Sequence, residues 1–174
     1  MENRARIGRH PIHPMIIPFP IALWIFSLVC DLVFKFGWGG VAWSDAAFYS
    51  LAGGIIGALV AAVPGFIDYL GIIDKPAKRV ATFHLVLNLG LVVLFAFNLW
   101  LRTKTVPGAT GPIFLSVIGV VLLGLSGWLG GELVFVHRVG VSSEVAVDKR
   151  IRGGISQQRV IDQELKARQH RKAV

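Results

Sequence analysis

The chain has 174 residues, of which 54% are apolar and 16% charged, whereas an ordinary soluble domain is roughly 45–50% apolar and about 25% charged. With a mean hydropathy of +0.65, this excludes a typical water-soluble fold and a disordered chain, and the single Cys30 excludes both a disulfide framework and a thiolate-rich zinc site. The 18 Lys and Arg against 10 Asp and Glu leave a net +8, whose meaning depends on where the cations fall.

Four windows contain no Asp, Glu, Lys or Arg: Arg9 to Asp31, Asp45 to Asp68, Arg79 to Arg102, and Lys104 to Glu132, enclosing 21, 22, 22 and 27 residues. A helix rises about 1.5 Å per residue, so about 20 apolar residues cross a hydrocarbon layer about 30 Å thick. Four transmembrane helices are predicted, over Met15 to Phe34, Phe48 to Leu70, Val80 to Leu101 and Ile113 to Val136. The first window resembles a signal peptide, but it lacks a small-residue cleavage site and ends on the anchoring charges Asp31 and Lys35. Short links rich in Gly and Pro make sequential helices antiparallel, which gives an all-α, up-down-up-down integral membrane bundle over residues 1–141. Residues 142–174 form a basic tail in which Val160, Ile161 and Leu165 fall at helical spacing after Ser156, a pattern that fits an amphipathic surface helix or a solvated tail equally well.

The threading puts 15 of the 18 cations at one end of the bundle and only Lys35, Arg102 and Lys104 at the other. Lys and Arg are retained in the cytoplasm, so both termini are expected there. The positive charge therefore reads first as a topology signal and second as attraction to anionic lipid, and no nucleic-acid partner is expected. Trp24, Trp38, Trp43, Trp100 and Trp128 read as interfacial anchors or packing, and Cys30 as a packed helix residue.

Small residues predict where helices touch. Gly53, Gly57, Ala61 and Gly65 recur every four residues in the second helix, and Gly127 and Gly131 repeat the device in the fourth, beside Gly124 and Gly130. Such stripes let backbones approach closely in lipid. Packing within the bundle is the favoured use, with homo-oligomer formation the alternative.

Of five histidines, His170 belongs to the tail, while the other four fall at the end that carries the termini. The same threading brings Asp68 there, so His13, Asp68, His84 and His137 each close one helix, and His10 lies just upstream. In a square bundle His13 is diagonal to His84, and Asp68 to His137. Diagonal imidazoles suit haem iron, and a mixed cluster of His and carboxylate suits Zn, Fe or Mn. Glu132 falls at a depth similar to His84, and Asn88 shares the His84 face and is placed to orient its ring. In His10-Pro11-Ile12-His13-Pro14 each proline biases the preceding histidine toward extended backbone. The plainer reading of all these groups is interfacial hydrogen bonding, with Asp68 or Glu132 paired to Lys78, Arg79 or Arg138.

The segments His10-Pro-Ile-His-Pro14, Phe19-Pro20-Ile-Ala-Leu-Trp24, Gly65-Phe-Ile-Asp68, Ala81-Thr-Phe-His84 and Gly130-Gly-Glu-Leu-Val-Phe-Val-His137-Arg-Val-Gly-Val141 together resemble the bacterial membrane family called domain of unknown function 2231, over about residues 9 to 142. The resemblance implies a four-helix domain of the bacterial inner membrane with no assigned activity. Some relatives are joined to Rieske-type or cytochrome c domains, which implies electron transfer, here with a separate redox partner. It points to His10, His13, Asp68, His84 and His137, and it leaves the turn after His137 open, because Arg138 stands where relatives often have Gly.

Three functional expectations follow. The first is a protein that binds haem b or a transition metal at the cytoplasmic face and passes electrons. The second is a transport or proton-relay component that uses Asp68, Glu132 and the histidines. The third is an accessory subunit whose glycine faces bind another membrane protein, with no cofactor. No nucleotide-binding or hydrolase motif occurs, and a stand-alone enzyme is the less favoured reading.

Overall fold

A computed structural model describes residues 5–8 and 10–141, together with 153–154, 157–159 and 163 in the tail. Ser156, Val160, Ile161, Leu165 and His170, on which the tail expectations rest, lie outside the described residues. Two short strands, β1 (Arg6–Ile7) and β2 (His10–Pro11), pair antiparallel, with Arg6 opposite Pro11 and Ile7 opposite His10. Five helices follow: α1 (Ile12–Ile16), α2 (Pro18–Lys35), α3 (Val41–Leu70), α4 (Lys75–Arg102) and α5 (Thr110–Phe135). Since α1 runs into α2, the described residues contain four helical segments long and apolar enough to cross a membrane, from Ile12–Lys35 to Thr110–Phe135.

The helices extend beyond the charge-free windows, because hydrogen bonding continues where the hydrocarbon ends. His13 is helical rather than extended. Pro14 falls in the first turn of α1, where its missing N–H has no intrahelical partner to lose. The helix α3 begins at Val41 rather than Phe48, after Gly37 at φ +73° has turned the chain. The helix α4 begins at Lys75 rather than Val80, because Asp74 caps it by accepting from the Ala77 amide at 3.0 Å.

The helix α5 ends in a wide turn. The Val136 and His137 amides both donate to the Glu132 carbonyl, and the Val139 amide donates to that of Leu133. This places Arg138 at φ +53°, a left-handed backbone that costs about 1–2 kcal/mol for a residue with a Cβ. Glycine adopts it freely. Arg138→Gly should therefore raise stability by about 1 kcal/mol, seen as a higher melting temperature in detergent.

In cross-section α2 packs on α3 and α4 on α5, while α3 against α4 and α2 against α5 close the ring. The core lies on the diagonal. Trp24 of α2 stacks on Phe95 of α4 with ring centroids 4.2 Å apart, surrounded by Leu51, Ala58, Leu91 and Leu123. Trp38, Trp100 and Trp128 are exposed, as are Phe19, Leu89, Val121 and Phe135, which gives the bundle the apolar exterior of a protein bathed in lipid. Cys30 is buried and unbonded.

The α3 stripe meets the first span of its own chain. A Cβ at Gly53 would touch Leu23 at 3.4 Å, one at Gly57 would touch Pro20 at 3.3 Å, and Ala61 is wholly buried. The expectation for α5 needs correction. Added carbons at Gly127 would meet nothing, and at Gly131 only Phe135 of the same helix at 4.0 Å. Close approach falls to Gly119, against Phe95, and, of the four glycines named, to Gly130, against His84. Spacing of four identifies a helix face but not which face has a neighbour.

Candidate functional site

Two polar loci occupy opposite ends of the bundle. At the end that carries the N-terminus, His13 and His84 project from the diagonal pair of spans. His13 Nδ1 lies 2.8 Å from the Ala61 carbonyl oxygen, and His84 Nδ1 lies 3.0 Å from that of Ser126. A carbonyl only accepts, so each Nδ1 carries a proton, and in the neutral tautomer this leaves the lone pair on Nε2. Among the described residues neither Nε2 has a hydrogen-bond partner.

Glycine on the adjacent helix makes room for each ring. A Cβ at Gly65 would lie 2.8 Å from His13 Nδ1, and one at Gly130 would lie 3.3 Å from His84 Cε1. Asn88 Nδ2 donates to the His84 carbonyl and to Ser126 Oγ, both at 2.7 Å. It thus ties α4 to α5 one turn below His84 and orients the ring through the backbone and Ser126 rather than by touching it.

The wider cluster expected from the threading does not assemble. Among the described residues no group of three His, Cys, Asp or Glu is placed to hold a metal ion. Equal depth along the bundle is not contact. His10 is exposed in β2. The Asp68 carboxylate accepts from the Ala5 amide at 2.9 Å and so anchors the N-terminal hairpin rather than facing His137. His137 lies beyond the end of α5 in the wide turn. Lys78, a candidate partner for the acids, donates to the Tyr69 carbonyl and lies 3.5 Å over that ring. Glu132 is half-buried, and no described side chain pairs with it.

The opposite end holds a locus that residue type and spacing did not single out. Arg102 of α4 binds Asp31 of α2 through its two terminal guanidinium nitrogens, Nη1 and Nη2, at 2.8 and 2.5 Å, with side chains 10% and 4% exposed. Arg102 Nε donates to Asn98 Oδ1 at 3.2 Å and Nη2 to Ser116 Oγ at 3.2 Å, while Asn98 Nδ2 donates to Ser116 Oγ and the Pro112 carbonyl. A buried ion pair offsets its desolvation only when its remaining hydrogen-bonding groups are satisfied, and this network meets that condition. Beside it a cavity of about 150 Å³ is lined by Asp31, Ser44, Asp45, Arg102 and the 105–109 connection. The available clue was that Asp31 and Arg102, opposite in sign, bound windows whose ends the threading places together.

Residues 9–143 match a protein family described as "Predicted membrane protein (DUF2231)". The match spans all four long helices and both polar loci. No curated protein and no solved structure matches the chain.

Proposed function

Because the chain belongs to the DUF2231 family of predicted membrane proteins, a description that names no activity, we propose its role from the site itself. His13 and His84 form a two-imidazole centre that takes a transition metal ion, bare or as the iron of haem b, and exchanges electrons with a separate redox partner. One observation carries this reading: both Nδ1–H groups are committed to backbone carbonyls. Metal-bound histidines are held in this way, because the second ring nitrogen sets tautomer and orientation while the other donates its lone pair. Imidazole suits Cu, Fe, Ni and Zn, and paired imidazoles suit haem iron.

Gly65 and Gly130 support the reading, since they seat the rings in niches that any side chain would fill. Bound there, iron or copper supplies a one-electron couple. The excess of cations at this end faces the site to the cytoplasm of a bacterial cell, in the inner membrane. A proton relay through Asp68 is less well supported, because that carboxylate anchors the Ala5 amide and the Trp24–Phe95 stack fills the axis between the two ends.

The test is an absorption spectrum with elemental analysis on protein purified in detergent through a tag that contains no histidine. A Soret band identifies haem b, and stoichiometric metal without it identifies a bare ion. In either case His84→Ala should abolish the signal and His10→Ala should leave it intact. Protein that shows neither signal after expression with added iron, copper and haem precursor overturns the proposal.

A further inference from the structure

Two numerical offsets organise the contacts described above. Adding 71 carries His13 onto His84, Trp24 onto Phe95, Ser27 onto Asn98 and Asp31 onto Arg102. Adding 65 carries Ala47 onto Pro112, Gly54 onto Gly119, Ala61 onto Ser126 and Gly65 onto Gly130. The contacts map with the residues. His13 bonds the Ala61 carbonyl and His84 that of Ser126. Ser27 Oγ donates to the Ala47 carbonyl at 2.7 Å, and Asn98 Nδ2 donates to that of Pro112 at 3.0 Å. Gly54 admits the Trp24 ring and Gly119 the Phe95 ring, while Gly65 and Gly130 admit the two imidazoles. The change of offset falls in the connection, which is six residues shorter between Arg102 and Pro112 than between Asp31 and Ala47.

We infer that the membrane domain is a duplicated helical hairpin, α1–α3 and α4–α5, with its halves related by an approximate two-fold axis along the bundle, and that the histidine end of this axis is one shared site. Exchanging the halves maps the α3–α4 interface onto the α5–α2 interface, and these are the two contacts that close the ring. Both first helices run in the same direction, so this is a parallel repeat with its axis along the membrane normal.

A residue that touches its own equivalent lies on a two-fold axis. Trp24 stacks on Phe95 and Asp31 binds Arg102, so both pairs mark the axis. His13 and His84 continue it eleven residues above the aromatic pair, about 16 Å along the helices. An ion held between the imidazoles would therefore draw on one Nε2 from each half, so the chain would hold a single ion rather than one per hairpin. This part rests on the two-imidazole reading.

The other end shows what the duplication gained. Identical halves would place like charges face to face, whereas Asp31 and Arg102 attract. Opposite signs pair the first half with the second half of the same chain and disfavour pairing between like halves of two chains.

Two measurements test the inference. Metal per chain should fall from one to none in both His13→Ala and His84→Ala, and retention of half in either variant overturns the shared site. Wild-type protein without metal overturns the shared ion together with the two-imidazole reading. The duplication is decided separately, by exchanging the charges. Asp31→Arg and Arg102→Asp should each lower the yield of folded protein and its melting temperature. The double variant should recover most of both, since the axis makes the two positions interchangeable. A double variant no better than the worse single variant overturns the two-fold relation.

Discussion

Replacing Arg102 by Met is expected to cost about 3–5 kcal/mol, the penalty for breaking a buried ion pair by removing one partner. The Asp31 side chain is 4% exposed and would face an apolar stem in place of two charge-assisted hydrogen bonds. Asn98 Oδ1 and Ser116 Oγ would each lose a donor as well. Both residues are wholly buried, so a lost donor is costly at either. Adding Asp31→Leu should return much of the loss, because an apolar pair of similar volume avoids desolvating any charge. Lys35 is the internal control. It donates to the Gly108 carbonyl from an exposed position, and Lys35→Met should change stability by no more than about 0.5 kcal/mol. Melting in detergent, followed by circular dichroism, reads all three variants. Equal melting temperatures for Arg102→Met and Lys35→Met would sink the argument.

That network also shows how far a sequence discloses a membrane site. Charge-free windows reveal spans because charge in hydrocarbon is costly, and all four long helices coincide with one. They do not reveal where hydrogen bonding stops, so the helices run on through Asp45 and through Lys75, Lys78 and Arg79. Charges at a window edge read as anchors, and this concealed Asp31 and Arg102. Asn98 and Ser116 looked incidental until their partners were in place. Depth was legible and lateral position was not. His13 and His84 share a depth and a diagonal, whereas Asp68 and His137 share only a depth, because the Ala5 amide before β1 claims Asp68 and the wide turn carries His137 away. The duplication was hidden for a related reason. Its halves keep contacts more than residues, and the accepting backbone carbonyl serves equally well whether alanine or serine, or alanine or proline, carries it.

The same pairing of contacts makes Gly54 and Gly119 the least replaceable small residues in the bundle. A Cβ at Gly54 would lie 2.5 Å from Trp24 Nε1 and 3.1 Å from Cγ, and one at Gly119 would lie 2.8 Å from Phe95 Cε1. Neither ring can retreat, because each is stacked on the other across the axis at 4.2 Å. The indole is already under constraint. Among the described residues Trp24 Nε1 is the buried side-chain polar atom without a hydrogen-bond partner, at a cost of about 1–3 kcal/mol. Gly54→Ala and Gly119→Ala should each destabilise by about 1–3 kcal/mol, as overpacked cores do, even though alanine is the better helix former by about 1 kcal/mol. Gly124 faces open space, so Gly124→Ala should be neutral or slightly stabilising. Melting temperatures of the three variants in one detergent decide the point. If Gly54→Ala melts with Gly124→Ala rather than with Gly119→Ala, the aromatic pair is not clamped between two glycines, and the central layer of the two-fold arrangement fails with it.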